Sequence, residues 1–228
     1  MVASTPQPVT IKVDDAQRVS GLLQVPANAY ACYVLAHGAG AGMAHPFMQN
    51  IADALAEHGV ATLRYQFPYM EKGSKRPDSP KLAQAAVRAA VTEAARLLPE
   101  LPTVAGGKSF GGRMTSQAQA ASPLTKVRGL IFLGFPLHPA GHPSDERAKH
   151  LTDVQIPMLF LQGTRDELAD LRLIQALAER LGARATLEQY ADADHSFHVP
   201  KRSGRTDAQV IVSLAGALAG WLGKIVNQ

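Results

Sequence analysis

The sequence predicts an α/β fold, in which a mostly parallel central sheet carries helices on both of its faces. Three observations support this prediction: short apolar segments alternate with segments of helical periodicity, turn residues mark each switch, and one apolar run is continuous. Strands that alternate with helices form βαβ units, whose crossover helices cover both faces of a parallel sheet. The 228 residues contain no internal repeat and no long linker, so we expect a single domain over residues 1–228.

The expected strands share an apolar or β-branched composition. The first two form an antiparallel pair, because Asp14-Asp15 between them is a turn signal. The run Ala31–Ala36 is apolar throughout, which is typical of a strand that is buried on both faces. In chain order the expected strands are Val9–Val13, Val19–Val25, Ala31–Ala36, Val60–Arg64, Thr103–Gly107, Val127–Phe135, Ile156–Gly163 and Ala185–Tyr190.

The expected helices place apolar residues at helical spacing. Ser79-Pro80 supplies an N-cap followed by proline at the first helical position, while Gly59 and Gly182 end helices. The segment Gln66–Pro80 is rich in proline, glycine and charge, and we expect it to be irregular. In chain order the expected helices are Pro46–His58, Lys81–Leu98, Arg113–Ala121, Glu167–Leu181 and Asp207–Ile225.

The charge pattern argues against a nucleic-acid partner. The 23 basic and 19 acidic side chains leave a net charge of +4, which is mild and dispersed. The densest basic stretches, Lys72–Arg76 and Lys201–Arg205, contain no aromatic residue, so we interpret them as solvated loops. The first six residues lack the features of a signal peptide, and no run approaches the about 18 apolar residues of a membrane span. We expect a cytoplasmic monomer or homodimer with no membrane span.

The cysteine and histidine content argues against a metal site. Cys32 is the single cysteine, which excludes an internal disulfide and a cysteine-based zinc site. His138 and His142 are four residues apart, but Pro139 and Pro143 disfavour the helix that would bring them to one face. We therefore expect no metal and no organic cofactor.

The segment Gly107-Lys108-Ser109-Phe110-Gly111 has the Gly-x-Ser-x-Gly pattern of a nucleophile elbow. It lies between a predicted strand and a predicted helix, where such an elbow exposes the serine hydroxyl above the sheet. A phosphate-binding P-loop also ends in Gly-Lys-Ser, but that motif needs a glycine where this chain has Pro102. The sequence therefore favours Ser109 as a nucleophile.

A base and an acid follow Ser109 in the chain. His195 comes after the late strand that ends near Tyr190, and an imidazole there suits proton transfer from a serine hydroxyl. Asp166 follows the strand Ile156–Gly163 and is the expected partner of the imidazole. Glu167, Asp192 and Asp194 remain alternative carboxylates. The order serine, aspartate, histidine is the chain order of the triad in α/β-hydrolases.

The turn after the strand Ala31–Ala36, His37-Gly38-Ala39-Gly40, is the expected oxyanion loop. Acyl transfer requires two backbone N–H groups for the oxyanion, and we assign them to Phe110 and Ala39, with Gly40 as the alternative to Ala39. Gly38 and Gly40 are also expected to contact substrate. The loops Gln66–Lys81 and Leu137–His150 are the expected pocket walls.

In the first of those loops and at the residue just before it, Tyr65, Phe67 and Tyr69 indicate a partly apolar binding surface. The same aromatic residues also suit a purely structural role, in which they pack the loop onto the domain. The sequence leaves both interpretations open.

Three blocks resemble the α/β-hydrolase family of testis-expressed protein 30 and NSL-complex-subunit-3-like proteins, which are relatives of the dienelactone hydrolases. The blocks are Ala36–Met43, Arg64–Glu71 and Gly106–Met114. The resemblance implies a Ser109–Asp166–His195 triad and a compact fold with little or no cap domain. Dienelactone hydrolases proper use a cysteine nucleophile, whereas position 109 is serine.

The sequence thus predicts a serine hydrolase that cleaves an ester-like bond, a carboxylester or a thioester, of a small molecule through an acyl-enzyme. The alternative is a hydrolase fold that serves as a catalytically silent binding or scaffold module. The presence of all three triad residue types favours the enzyme.

Overall fold

The computed structural model describes residues 4–226, which form an eight-stranded sheet flanked by six helices. The strands are β1 (Gln7–Lys12), β2 (Arg18–Gln24), β3 (Ala31–Ala36), β4 (Val60–Tyr65), β5 (Thr103–Lys108), β6 (Val127–Leu133), β7 (Met158–Gly163) and β8 (Ala185–Tyr190). The helices are α1 (Pro46–Glu57), α2 (Pro68–Glu71), α3 (Pro80–Leu97), α4 (Phe110–Ala121), α5 (Leu171–Leu181) and α6 (Asp207–Val226). Residues 1–3 and 227–228 lie outside the described residues, so the expectations for the two ends of the domain concern residues that the structure does not describe.

The sheet has the order β1-β2-β4-β3-β5-β6-β7-β8. Strands β1 and β2 pair antiparallel, β2 pairs antiparallel with β4, and the remaining strands are parallel. The predicted α/β class, the mostly parallel sheet and the antiparallel pair at its start are therefore confirmed. The chain leaves β3 toward β4 on one side and reaches β5 on the other, so β3 and β5 flank a topological switch point, where such sheets bind ligands.

Two apolar clusters hold the helices to the two faces of the sheet. Alternate residues of β3 point to opposite faces, so Cys32 and Val34 join the cluster under α3, α4 and α5, whereas Tyr33 and Leu35 join the cluster under α1 and α6. Burial on both faces explains why β3 is apolar throughout.

Several bounds differ from the sequence prediction by a few residues, and the largest differences concern three segments. The segment expected to be irregular contains the short helix α2, which begins at Pro68, a residue whose ring favours the first helical position. Helix α5 begins at Leu171 rather than Glu167, because the Asp170 side chain accepts hydrogen bonds from the N–H groups of Arg172 and Leu173. A 3₁₀ segment, Glu146–Asp153, begins within the loop Leu137–His150, where no helix was expected.

Helix α6 is long and apolar enough, by length and composition, to cross a membrane, with a mean hydropathy of 1.6 over 18 residues. The expectation that no run has this length and composition is therefore wrong, whereas the expectation of no membrane span stays a prediction. One face of the helix packs into the domain through Val210, Leu214, Leu218 and Leu222. A helix in the core of a domain has the same composition as a membrane span.

Candidate active site

Ser109 lies at a sharp turn between β5 and α4, as expected for an elbow. Its φ of 50° is in the left-handed region, which is strained for a residue with a side chain. The turn passes very close to the end of β3: a Cβ on Gly107 would lie 2.2 Å from the carbonyl oxygen of Ala36, and one on Gly111 would lie 2.6 Å from it. The two motif glycines therefore allow the approach that holds Ser109 above the sheet.

The structure brings Ser109, His195 and Asp166 together. The distance from His195 Nε2 to Ser109 Oγ is 2.8 Å, and that from His195 Nδ1 to Asp166 Oδ2 is 2.7 Å. The side chain of Asp166 is fully buried, while that of His195 is 22% exposed. This is the chain of contacts by which a serine can pass its proton to an oriented imidazole.

Further hydrogen bonds fix the carboxylate of Asp166. Its Oδ2 accepts a hydrogen bond from Gln162 Nε2 at 2.6 Å, and its Oδ1 accepts one from the Leu168 N–H at 2.8 Å. A carboxylate only accepts hydrogen bonds, so the proton of the neutral imidazole is on Nδ1, which donates a hydrogen bond to Asp166. This leaves Nε2 free to accept a hydrogen bond from the Ser109 hydroxyl.

The alternative carboxylates do not contact His195. Asp194 Oδ1 accepts hydrogen bonds from the N–H groups of Ser196 and His198, which shapes the turn that carries the base. Glu167 is exposed, and the Asp192 N–H donates to Thr164 Oγ1. Of the four acidic residues considered, the structure places only Asp166 on the imidazole.

The backbone N–H groups of Ala39 and Phe110 have no hydrogen-bond acceptor among residues 4–226. Phe110 is the first residue of α4, where N–H groups have no partner within the helix. The Gly40 N–H, in contrast, donates to Tyr69 Oη at 2.9 Å. Ala39 rather than Gly40 therefore offers the second free donor beside the elbow.

Hydrogen bonds to the segment after β4 hold the oxyanion loop in place. Buried His37 accepts a hydrogen bond from the Phe67 N–H at Nε2 and donates from Nδ1 to the Gly38 carbonyl. Burial lowers the pKa of His37 to about 4, so its imidazole is neutral at neutral pH, as these two bonds require. The Met43 N–H donates to Gln66 Oε1 at the far end of the loop.

Buried Arg64 reinforces the same loop. Its Nη1 donates to the Met43 carbonyl at 3.3 Å and to Gln49 Oε1 at 3.1 Å, which joins the loop to α1. No role for Arg64 or Gln66 was predictable from local sequence pattern. Both lie in or next to a predicted strand, and only the fold shows that they reach a loop more than twenty residues earlier in the chain.

The predicted substrate contacts of Tyr65, Phe67 and Tyr69 are wrong. All three are buried, with exposures of 0%, 0% and 2%, and none lines the cavity at Ser109. Their rings pack against one another, and Phe67 also contacts the rings of His37 and Phe110. The aromatic residues thus pack the loop onto the domain, which is the alternative that the sequence left open.

A cavity of about 580 Å³ opens at Ser109, between the oxyanion loop and the base. Its apolar walls are formed by Phe47 of α1, Ile211 of α6 and Phe197. Phe197 belongs to the loop between β8 and α6 that carries His195, which we call the base loop. The loops 66–81 and 137–150, which were expected to form the walls, contribute no lining residue. Gly38 and Ala39 line the cavity as expected, whereas Gly40 does not.

A second cavity, of about 510 Å³, also reaches His195. Its lining is more polar and includes Arg165, Glu167 and Ser196. Four residues border both cavities, namely Leu168, His195, Ser196 and His198. The base therefore borders an apolar cavity that contains the serine and a polar one that does not.

The described residues 4–226 contain no group of three histidine, cysteine or acidic side chains arranged to hold a metal ion. Both ring nitrogens of His138 are engaged within the protein: Nδ1 contacts the Pro139 carbonyl, and Nε2 accepts from the Asp170 N–H.

Comparison with known families and structures agrees with this architecture. The profile of a family described as the alpha/beta hydrolase domain matches residues 29–223. Among solved structures, the chain is similar to XC6422 from Xanthomonas campestris, described as an α/β serine hydrolase without lid. The identity is 22%, the TM-score is 0.74, and 95% of each chain is covered.

Two further structures share the fold. A dienelactone hydrolase from Anabaena variabilis is 21% identical with a TM-score of 0.76, over 97% of this chain and 99% of that one. Est1E from Butyrivibrio proteoclasticus, solved with bound ferulic acid, is 16% identical with a TM-score of 0.72, over 96% of this chain and all of that one. At these identities the likeness concerns the fold.

Proposed function

This chain belongs to the alpha/beta hydrolase domain family, and from that premise we propose that it is a serine hydrolase that cleaves an ester-like bond of a small molecule. The observation that carries the proposal is the continuous pair of hydrogen bonds from Ser109 Oγ through the His195 imidazole to Asp166. An idle scaffold has no need to keep a serine strained and bonded to a buried acid–base pair.

The first half of the reaction forms an acyl-enzyme. Ser109 Oγ attacks the carbonyl carbon while His195 Nε2 takes the hydroxyl proton, and the free N–H groups of Ala39 and Phe110 bind the oxyanion. Asp166 stabilises the imidazolium that forms. His195 then gives its proton to the leaving oxygen or sulfur, and the carbon–heteroatom bond breaks.

The second half consumes water. His195 removes a proton from a water molecule, which attacks the acyl carbon, and collapse of the second tetrahedral intermediate returns the proton to Ser109 Oγ. The products are a carboxylic acid and the alcohol or thiol. Every step uses side chains and backbone groups of this chain.

The two cavities suggest how the substrate lies. The cavity that contains Ser109 and the oxyanion loop is lined by Phe47, Phe197 and Ile211, which suits an apolar acyl group. The leaving group must meet the proton on His195, so it points toward the polar cavity lined by Arg165 and Glu167. A medium-sized apolar acyl group on a polar leaving group is the substrate type that fits this arrangement.

We also propose a closer placement of the chain with the testis-expressed protein 30 and NSL-complex-subunit-3-like proteins. The proposal rests on the three sequence blocks Ala36–Met43, Arg64–Glu71 and Gly106–Met114. In the structure these blocks are neighbours, since they form the oxyanion loop, the segment that supports it and the elbow.

Labelling with a fluorophosphonate probe tests the proposed function. The wild-type protein is expected to form a stable adduct, because the probe phosphonylates an activated serine and no other hydroxyl at a comparable rate. Ser109→Ala is the matched control and is expected to show no adduct while remaining folded. Folded wild-type protein that fails to react with the probe would contradict the proposal. A panel of p-nitrophenyl esters with short and long chains then measures acyl preference.

A further inference from the structure

Lys108, the residue directly before Ser109, has a buried side chain that the proposed reaction does not use. It is 9% exposed and lies at the end of β5. Within residues 4–226, no carboxylate oxygen forms an ion pair with its ammonium group. A buried ammonium without an ion-pair partner is rare, because its desolvation is strongly unfavourable.

The ammonium lies beneath the loop that carries the base. Lys108 Nζ donates a short hydrogen bond to the backbone carbonyl of His195, which is 87 residues further along the chain. The aromatic rings of Phe47 and Phe197 enclose it, with centroids 6.0 and 5.5 Å from Nζ. A Cβ on Gly134 would lie 3.0 Å from Nζ, so this glycine leaves the room that the ammonium occupies.

The charged groups around Lys108 are those of the triad and its loop. Burial lowers the pKa of Lys108 to about 8, and the nearby carboxylates of Asp166 and Asp194 partly offset this effect. The imidazole of His195 is close as well, since a Cβ on Gly134 would lie 3.0 Å from Lys108 Nζ and 3.5 Å from His195 Nδ1. An apolar side chain of the same length would fill the space without the desolvation penalty.

We propose that Lys108 is a positioning residue for the hydrolysis, one that ties the main chain of the base to the main chain of the nucleophile. This inference rests on the proposed function. Lys108 is covalently joined to Ser109 and hydrogen-bonded to His195, so its side chain connects the two loops that must hold Oγ and Nε2 in contact. A misplacement of about 1 Å between such groups lowers turnover by about 100-fold.

Lys108→Met tests the proposal, since methionine keeps the length and loses the donor and the charge. We expect kcat for a p-nitrophenyl ester to fall by about 10- to 100-fold with KM changed by less than about twofold. The rate of fluorophosphonate labelling should fall by the same factor. The melting temperature should stay equal or rise, because the desolvation penalty is removed. Lys224→Met, an exposed lysine on α6, is the matched control and should leave all of these unchanged.

A pH profile separates positioning from packing. The folded-state pKa of about 8 lies below the unfolded value of 10.5, so the unfolded chain holds more protons between these values. Wild-type stability, relative to Lys108→Met, should therefore rise as the pH increases from about 8 to 10.5. As the pH rises through about 8, the wild-type kcat should fall because the ammonium loses its proton and donates more weakly, and Lys108→Met should lack this decline.

The outcomes distinguish this proposal from the proposed function. Labelled wild type together with a folded Lys108→Met of unchanged kcat and pH profile would overturn the role of Lys108 alone. Unlabelled wild type would overturn the serine hydrolase and, with it, the positioning role. Lys108→Gln provides the same comparison with a polar side chain should the methionine variant not fold.

Discussion

Replacement of His195 by alanine is expected to lower kcat by about 10⁶-fold, which is the loss seen when the base of such a triad is removed. Without the imidazole, no other side chain among residues 4–226 is hydrogen-bonded to Ser109 Oγ to take its proton, since His195 Nε2 at 2.8 Å is its partner. The oxyanion donors and the cavity remain, so KM should change much less than kcat. The hydrolysis of a p-nitrophenyl ester, followed under saturating conditions, measures both constants.

The double variant sharpens this expectation. Residues that act as one unit are not additive, so Ser109→Ala combined with His195→Ala should be no slower than either single variant. His58→Ala is the matched control, because His58 is exposed at the end of α1 and should retain full activity. A loss of less than about 100-fold in His195→Ala would mean that another group serves as base.

The second large effect concerns stability. Gly106→Ala is expected to destabilise the protein by at least about 4 kcal/mol, a large part of the about 5–15 kcal/mol that holds a typical domain together. A Cβ on Gly106 would lie 1.8 Å from the Ile131 carbonyl oxygen, and the residue has a φ of 152°, which disfavours any side chain. Both β5 and β6 are buried central strands, so neither backbone has space to retreat.

Urea unfolding monitored by circular dichroism measures this change. Gly220→Ala is the control, because a Cβ there meets no atom within 4 Å and the residue lies inside α6. That substitution should stabilise the protein by about 0.5–1 kcal/mol through helix propensity. Near-equal midpoints for Gly106→Ala and the wild type would contradict the close packing of β5 on β6.

The central strands were predictable from sequence because burial on both faces leaves a local signal, and the bounds of β3 agree with the expected Ala31–Ala36. The bounds of β8, an edge strand that is only partly buried, also agree with the expected Ala185–Tyr190. The positions of Ser109, Asp166 and His195 also followed from local patterns, since each comes just after a strand of a parallel sheet. Their catalytic roles remain predictions, which the variants above test.

The cavity walls left no comparable signal. Phe47 and Ile211 lie on amphipathic helices, where an apolar residue that faces a cavity has the same spacing as one that faces the core. Tyr65, Phe67 and Tyr69 present the converse problem, because aromatic residues after a strand suit a pocket and a packed loop equally well. Only tertiary structure separates these cases.

The hydrogen bonds that support the site were beyond sequence analysis for a related reason. Arg64 reaches Met43 and Lys108 reaches His195 through contacts between segments that are distant in the chain. The elbow pattern specifies only the serine and its flanking glycines, so it predicts no role for the lysine at the position between them. Lys108 is buried because the distant loop that carries His195 folds over it.

The central claim, that Ser109 forms an acyl-enzyme, is tested most directly by mass spectrometry of protein quenched in acid during turnover of a p-nitrophenyl ester. The account predicts a mass increase equal to the acyl group, located on the peptide that contains Ser109 and absent from Ser109→Ala. Active protein that carries no acyl group, or carries it on another residue, would contradict the account.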